Sequence, residues 1–503
     1  RRPAPCRHSI RAVTAFGRRS AWGRWLPAAD VDGRRASLVT AIVTAHGAAV
    51  VTALVAGVVV ALVMSGCTPN AATPSTTATA STRANSGANA GADAVAGAGS
   101  EASEAARTAL TTLMAARSRA LETGDRTAWL ATIADPHGPD GSAEEAAYAG
   151  LVALGVREVI VSEVRRSATQ ATSAAPAAEE SQHAQTLTTQ TWTGSMRLGY
   201  AIPGFDRGVR WVARTVTLTQ VAGQWLIQRW VGPADRWEVF DLSPLQVARS
   251  ERALVAGPVA QDVLRDRLAE VEVGQDRVAA ALGRAFPAVV VVPATTDQAA
   301  LLLGNGAPSS EQSPLAGQVA ATTHGPREPS ATAVADRVVL DPQGMGRLTP
   351  AGRRVVLTHE LTHVSVRAGT LHDLPLWLSE GFAEWVAFRD EGMDVTVVAA
   401  RLLSQVRASG PPATLPTPTD FAGTAGDPAA AYQESWLAAS RIATLAGPDG
   451  LVGLVRRVGG VPGASSSPAG PVDPAAALTE VLGQSMSQFL AGWQSELVTL
   501  AAG

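Results

Sequence analysis

The apolar residues of this chain fall into blocks of two different periods. Over residues 101–133 they recur at helical spacing, with Leu110, Leu113, Met114, Leu121 and Trp129 in the stripe and a break at Gly124-Asp125. Four strand-like runs follow, at 156–164, 186–201, 209–221 and 224–231. Ala222-Gly223 joins the last two as a hairpin turn. Beyond residue 249 the texture changes. Residues 263–282 predict an amphipathic helix, and 288–292 a fully apolar strand bounded by Pro287 and Pro293. A short strand is predicted at 336–340. Thr349-Pro350 then supplies an N-cap and a first helical position, because proline there lacks only an N–H that would go unpaired anyway. Val355, Val356, Leu357, Leu361 and Val364 form that helix's apolar body, and Gly369 stops it. Pro375 opens a second helix running to 389. Gly381 inside it costs about 1 kcal/mol against alanine, which predicts a close approach between these two helices. Further helices are expected over 432–445 and 478–500, with Pro/Gly/Ser-rich connections at 304–329, 409–428 and 459–473.

Composition changes the picture mainly at the amino-terminal end. Residues 1–40 hold nine Arg against Asp30 and Asp32, and an uncharged Ala/Val/Leu/Gly run fills 47–64. A basic segment, an apolar core and small residues before a cleavage point make an export signal. Ser65-Gly66-Cys67 resembles a bacterial lipobox, in which Cys67 is lipidated, although Met64 stands where leucine is usual. The competing reading is an uncleaved anchor, since 18 to 20 apolar residues can span a bilayer. Either way the bulk of the chain is expected at the cell membrane, facing outside the cytoplasm, because the Arg-rich flank stays inside. Residues 68–100 are almost wholly Ala, Thr, Ser, Gly, Asn and Pro and predict a disordered tether. Cys6 and Cys67 are the only cysteines, so neither a disulfide framework nor a thiol protease is available. A formal net charge of −3, with every basic residue after the signal an arginine, offers no basic patch for nucleic acid. The absence of lysine fits a GC-rich, actinobacterial-type genome.

The chemistry is concentrated in His359-Glu360-Leu361-Thr362-His363. Residues four apart share one helical face, so both imidazoles can reach one metal ion. The glutamate between them can act as general base on a metal-bound water. Glu380, on the second predicted helix, can supply a third ligand and leave a fourth position to water. Glu384, one turn later, can accept from the free ring nitrogen of a ligand histidine and so fix its tautomer. His372 does not fall at the spacing of a further ligand and reads as a loop residue.

These residues, with the run Trp377-Leu378-Ser379-Glu380-Gly381-Phe382-Ala383-Glu384, resemble the gluzincin zinc metallopeptidases, most closely the aminopeptidase-N-like or peptidase MA-like branch. The resemblance covers roughly residues 338–442. It implies one Zn2+ held by His359, His363 and Glu380, with Glu360 as base. It also implies a thermolysin-like domain over 249–503, with a mixed sheet, the two zinc helices, a helical lobe and a cleft between the lobes. A strand at 336–340 would form the edge on which an extended peptide is laid. Tyr432 stands where gluzincins carry an oxyanion-stabilising residue; packing is the other reading of that tyrosine. No G-x-M-E-N-like sequence lies upstream, so the free amino terminus of a substrate has no recognisable grip, and endopeptidase activity is expected over aminopeptidase activity. Residues 101–248 resemble the NTF2-like α+β fold, with Trp192, Trp211, Trp225, Trp230 and Trp237 either packing a core or lining a cavity.

The expectation is therefore an α+β protein in four parts: a signal or anchor over 1–67, a linker over 68–100, an NTF2-like domain over 101–248 and a zinc peptidase domain over 249–503. The expected partners are a peptide or protein substrate and the membrane, with no nucleic acid. The alternative is a catalytically silent binding or scaffold lipoprotein that keeps the peptidase fold.

Overall fold

A computed structural model describes residues 90–166, 190–304, 321–324, 336–422, 427–461 and 470–503. The expected signal or anchor, Cys67 and the linker as far as residue 89 lie outside the described residues. Among the described residues no helix is long and apolar enough to cross a membrane.

Helix α1 spans Ala90–Thr123. It begins inside the stretch expected to be a linker, where alanine, with the highest helix propensity, carries the helix back through an Ala-rich segment. Gly124, at φ 70°, ends it in the left-handed conformation. Asp125 caps α2 (Arg126–Leu130) by accepting from Ala128 N at 3.0 Å. Helix α3 (Pro139–Leu154) was not anticipated. Four strands then build an antiparallel sheet in the order β1 (Val159–Arg166), β2 (Thr191–Tyr200), β3 (Arg210–Val221) and β4 (Gln224–Val231). Ala222 and Gly223 both take positive φ, as the tight β3–β4 hairpin demands.

The helices pack on this sheet around Leu110, Met114, Leu121, Trp129, Trp192 and Trp230, all buried, while Leu113 is half-buried. Trp211, Trp225 and Trp237 are half-buried as well. The centre also holds a charge that the apolar pattern does not show. Arg117 is 0% exposed, lies between the rings of Trp129 and Trp230, and pairs with Glu144 at 2.9 Å.

The second sheet runs β5 (Gln246–Arg249), β6 (Ala253–Gly257), β7 (Ala288–Val291), β9 (Arg337–Leu340) and β8 (Ala321–His324). Its centre is parallel, and β5 and β8 are antiparallel at the edges. Helix α4 (Gln261–Leu282) makes the crossover that the parallel β6–β7 pair requires. The strand expected at 336–340 is present as β9, but it is not the edge. Strand β8 lies outside it, drawn from a segment rich in Pro, Gly and Ser that reads as loop.

Alternation along the central strands explains their unbroken apolar character. Val255, Val290, Val338 and Leu340 share a core with the helices that follow the sheet, whereas Leu254, Ala256, Val289, Val291 and Val339 share a core with the amino-terminal α+β layer. With both faces covered, these strands have no solvent side to make polar. The division expected at 248/249 falls within a continuous sheet, because β5 straddles it.

After α5 (Thr296–Leu303) and α6 (Pro342–Arg347) come the two helices of interest, α7 (Pro350–Ala368) and α8 (Leu376–Phe388). As expected, Thr349 caps α7 by accepting from Gly352 N at 3.1 Å. Short helices α9 (Val395–Val398), α10 (Ala400–Ser409) and α11 (Pro418–Phe421) lead into α12 (Pro428–Gly459), which is interrupted at Gly447 just before Pro448. The helix expected over 478–500 is two helices, α13 (Pro474–Leu482) and α14 (Met486–Ala502), separated at Gly483.

Gly381 does mark a close approach, but to a different neighbour. A Cβ there would lie 2.3 Å from the Ser435 carbonyl oxygen on α12, and no atom of α7 is among its nearest contacts. Gly381→Ala is expected to push α8 off α12 and to destabilise by about 1–3 kcal/mol, the range for overpacking. A thermal melt that does not fall would refute the contact.

Candidate metal centre

Helix α7 presents His359 and His363 one turn apart on a face that is wholly buried. Helix α8 brings Glu380 against them. The two Nε2 atoms are 3.0 Å apart, and Glu380 Oε2 lies 3.2 Å from His359 Nε2 and 3.3 Å from His363 Nε2. His359, His363 and Glu380 thus form a group able to hold a metal ion. Despite those short distances, Glu380 Oε2 makes no hydrogen bond. One ligand-type atom from each of the three side chains converges on a common centre. A tetrahedral ion with bonds of about 2.0 Å places its ligand atoms about 3.3 Å apart, so the observed triangle fits one. The donor set, two imidazoles and a carboxylate, suits zinc among several divalent metals.

The surrounding charges agree with a cation site. Burial works against the ionised form of Glu380, but the His363 and His359 rings outweigh it and hold the carboxyl down at about 2. Burial would likewise keep His363 neutral, but Glu380, with Glu360 behind it, lifts its pKa. A ligand carboxylate has to be ionised, and a bound metal takes the place of the imidazole protons.

The ring nitrogens that face away from the centre also have neighbours. Glu384 Oε1 lies 3.5 Å from His359 Nδ1, and neither atom has another hydrogen-bond partner. That is where the sequence placed Glu384, although the gap is longer than a good hydrogen bond. Burial first, then the Glu380 and Glu360 carboxylates, push the Glu384 carboxyl well above its ordinary value. Ser379 Oγ, at 3.3 Å from His363 Nδ1, does for the second histidine what Glu384 does for the first. Ser379 was not singled out in the sequence; asking what orients each ligand ring would have found it.

Glu360 is 1% exposed and points to β8, where Thr323 Oγ1 donates to its Oε2 at 2.7 Å. Thr323 had no sequence signal, being a threonine in a loop-like stretch. Tyr432, near the start of α12, is buried, with its ring centroid 6.3 Å from that of His359 and edge-on to Phe421. The structure therefore gathers His359, Glu360, His363, Glu380, Glu384 and Tyr432 in one place. His372 lies in the α7–α8 connection, its N–H on the Gly459 carbonyl, outside the ligand group. Comparison with protein-family models, curated proteins and solved structures finds no match to this chain.

Proposed function

We propose that this chain is a zinc-dependent peptidase of the gluzincin kind, working outside the cytoplasm and tethered to the membrane through residues 1–67. The observation that carries the reading is the His359–His363–Glu380 triangle, with Glu360 next to it in sequence and in space. A zinc ion held by those three residues would supply Lewis acidity and lower the pKa of water beside it towards about 7.

Glu360 then takes a proton from the attacking water and delivers it to the departing amine. Glu384 and Ser379 hold the two imidazoles in register. Tyr432 offers its hydroxyl to the oxyanion that develops on the scissile carbonyl. Strand β8 is the outer strand of its sheet, and its outer side, unpaired among the described residues, supports main-chain pairing with an extended substrate. The mixed sheet, with α7 and α8 on one face and helices after them, is the arrangement expected of a thermolysin-like domain.

The purified chain is expected to bind one zinc ion, shown by elemental analysis, and to cut within the members of a blocked-end peptide library. Chelation should stop the cutting and zinc should restore it. Stoichiometric zinc with no cleavage would leave the scaffold reading in its place. Trimming confined to free amino termini would replace the endopeptidase assignment.

A further inference from the structure

We infer that Thr323, on the edge strand β8, is a positioning residue for Glu360. This rests on the peptidase reading above. Glu360 sits on a buried face of α7, where a free carboxylate would turn towards whatever positive group it could reach. His359 and His363 lie on the same helix. Thr323 Oγ1 lies 2.7 Å from Glu360 Oε2 and 3.1 Å from the Glu360 carbonyl oxygen. A threonine hydroxyl has a single proton to donate, and the shorter contact, to the carboxylate oxygen, is the stronger of the two.

That hydrogen bond fixes one carboxylate oxygen and leaves Oε1 for proton transfer. It also ties the base to the strand that would hold the substrate. Thr323 is in register with Val338 of β9, so its position is set by the sheet rather than by a free loop. A peptide paired along the outer side of β8 and the carboxylate that serves it would then share one mechanical reference. Fixing both to a single strand limits errors in their relative placement, to which proton transfer is sensitive.

The test uses the full chain and three substitutions. Thr323→Val keeps the shape and removes the donor, Thr323→Ser keeps the donor, and Glu360→Ala removes the acceptor. Thr323→Val is expected to lower kcat about 10- to 100-fold, with KM and zinc stoichiometry unchanged, and Thr323→Ser to recover most of kcat. In the metal-free chain, Thr323→Val should lower the melting temperature, and should lower it far less when Glu360 is already alanine. Equal shifts in both backgrounds would show that the contact does not exist. An unaltered kcat in Thr323→Val, in a chain that does hydrolyse peptides, would overturn the role of Thr323 alone. A wild-type chain that binds zinc and hydrolyses nothing would overturn the peptidase reading first, and the role of Thr323 with it.

Discussion

Glu360→Gln is expected to leave zinc binding intact and to remove peptide hydrolysis. The two halves of that expectation come from different atoms. The atoms able to hold a metal belong to His359, His363 and Glu380, and Glu360 is not among them, so the triangle is expected to survive the substitution. Glutamine has the same shape and can still accept from Thr323 Oγ1, so the side chain keeps its place against β8. What it loses is the ability to take a proton. A positioned general base contributes typically 10²- to 10⁴-fold, and kcat should fall by about that much while the metal content holds at one ion per chain. Removing a ligand instead, as in His363→Ala, should lower metal content and activity together, because two protein ligands close a zinc site poorly. Elemental analysis alongside peptide cleavage separates the cases. Undiminished cleavage by Glu360→Gln would sink the assignment of the base, and loss of zinc in that variant would mean that the ligand set has been drawn wrongly.

The centre was legible because most of it is local. A helix converts a spacing of four into a shared face, so His359 and His363 announce their geometry in the sequence, and Glu380 and Glu384 repeat the device on the next helix. Tyr432 could be nominated from the resemblance, but its approach to His359 depends on how α12 packs against α8, which no local pattern encodes. Thr323 was invisible for the opposite reason. Strand β8 is four residues long, and its place is fixed by pairing with β9, a contact between segments that local periodicity does not report. Moving the edge from β9 to β8 is the same lesson seen in the sheet.

Elsewhere the pattern was right about burial and silent about what covers. The fully apolar β7 was expected from its sequence, yet nothing in it says that one face meets α7 and α8 and the other meets the amino-terminal layer. Arg117 shows the limit most plainly. A charged residue on a helical stripe reads as a solvated edge, whereas here two tryptophan rings and Glu144 enclose it. Such a residue is buried only because its partners arrive from α2, α3 and β4 at once, a coincidence that belongs to the tertiary structure.

Asp206→Ala should be among the most damaging single changes in the protein, although it lies in the β2–β3 connection and far along the chain from the histidines. The Asp206 carboxylate grips Arg337 of β9 with both oxygens, at 2.6 and 2.8 Å, and both side chains are almost completely buried. Burial alone would favour a neutral guanidine, but Asp206 outweighs it and holds Arg337 above the usual arginine range. The next residue, Arg207, donates to the Ala368 carbonyl at the end of α7, so the same connection clasps both β9 and α7. Removing one member of a buried pair strands the other charge and costs about 3–5 kcal/mol, whereas replacing both by apolar residues of similar volume is often close to neutral. Guanidinium unfolding should therefore show a midpoint that falls sharply in Asp206→Ala and largely recovers in Asp206→Leu combined with Arg337→Met. A loss below about 1 kcal/mol in the single variant, as for a surface pair, would mean that this clasp does not join the two layers. A large loss that the double replacement reverses would identify the stranded guanidinium as its cause. It would also make the amino-terminal layer part of the frame of the candidate metal centre, because Arg337 is the residue before Val338, with which Thr323 is paired.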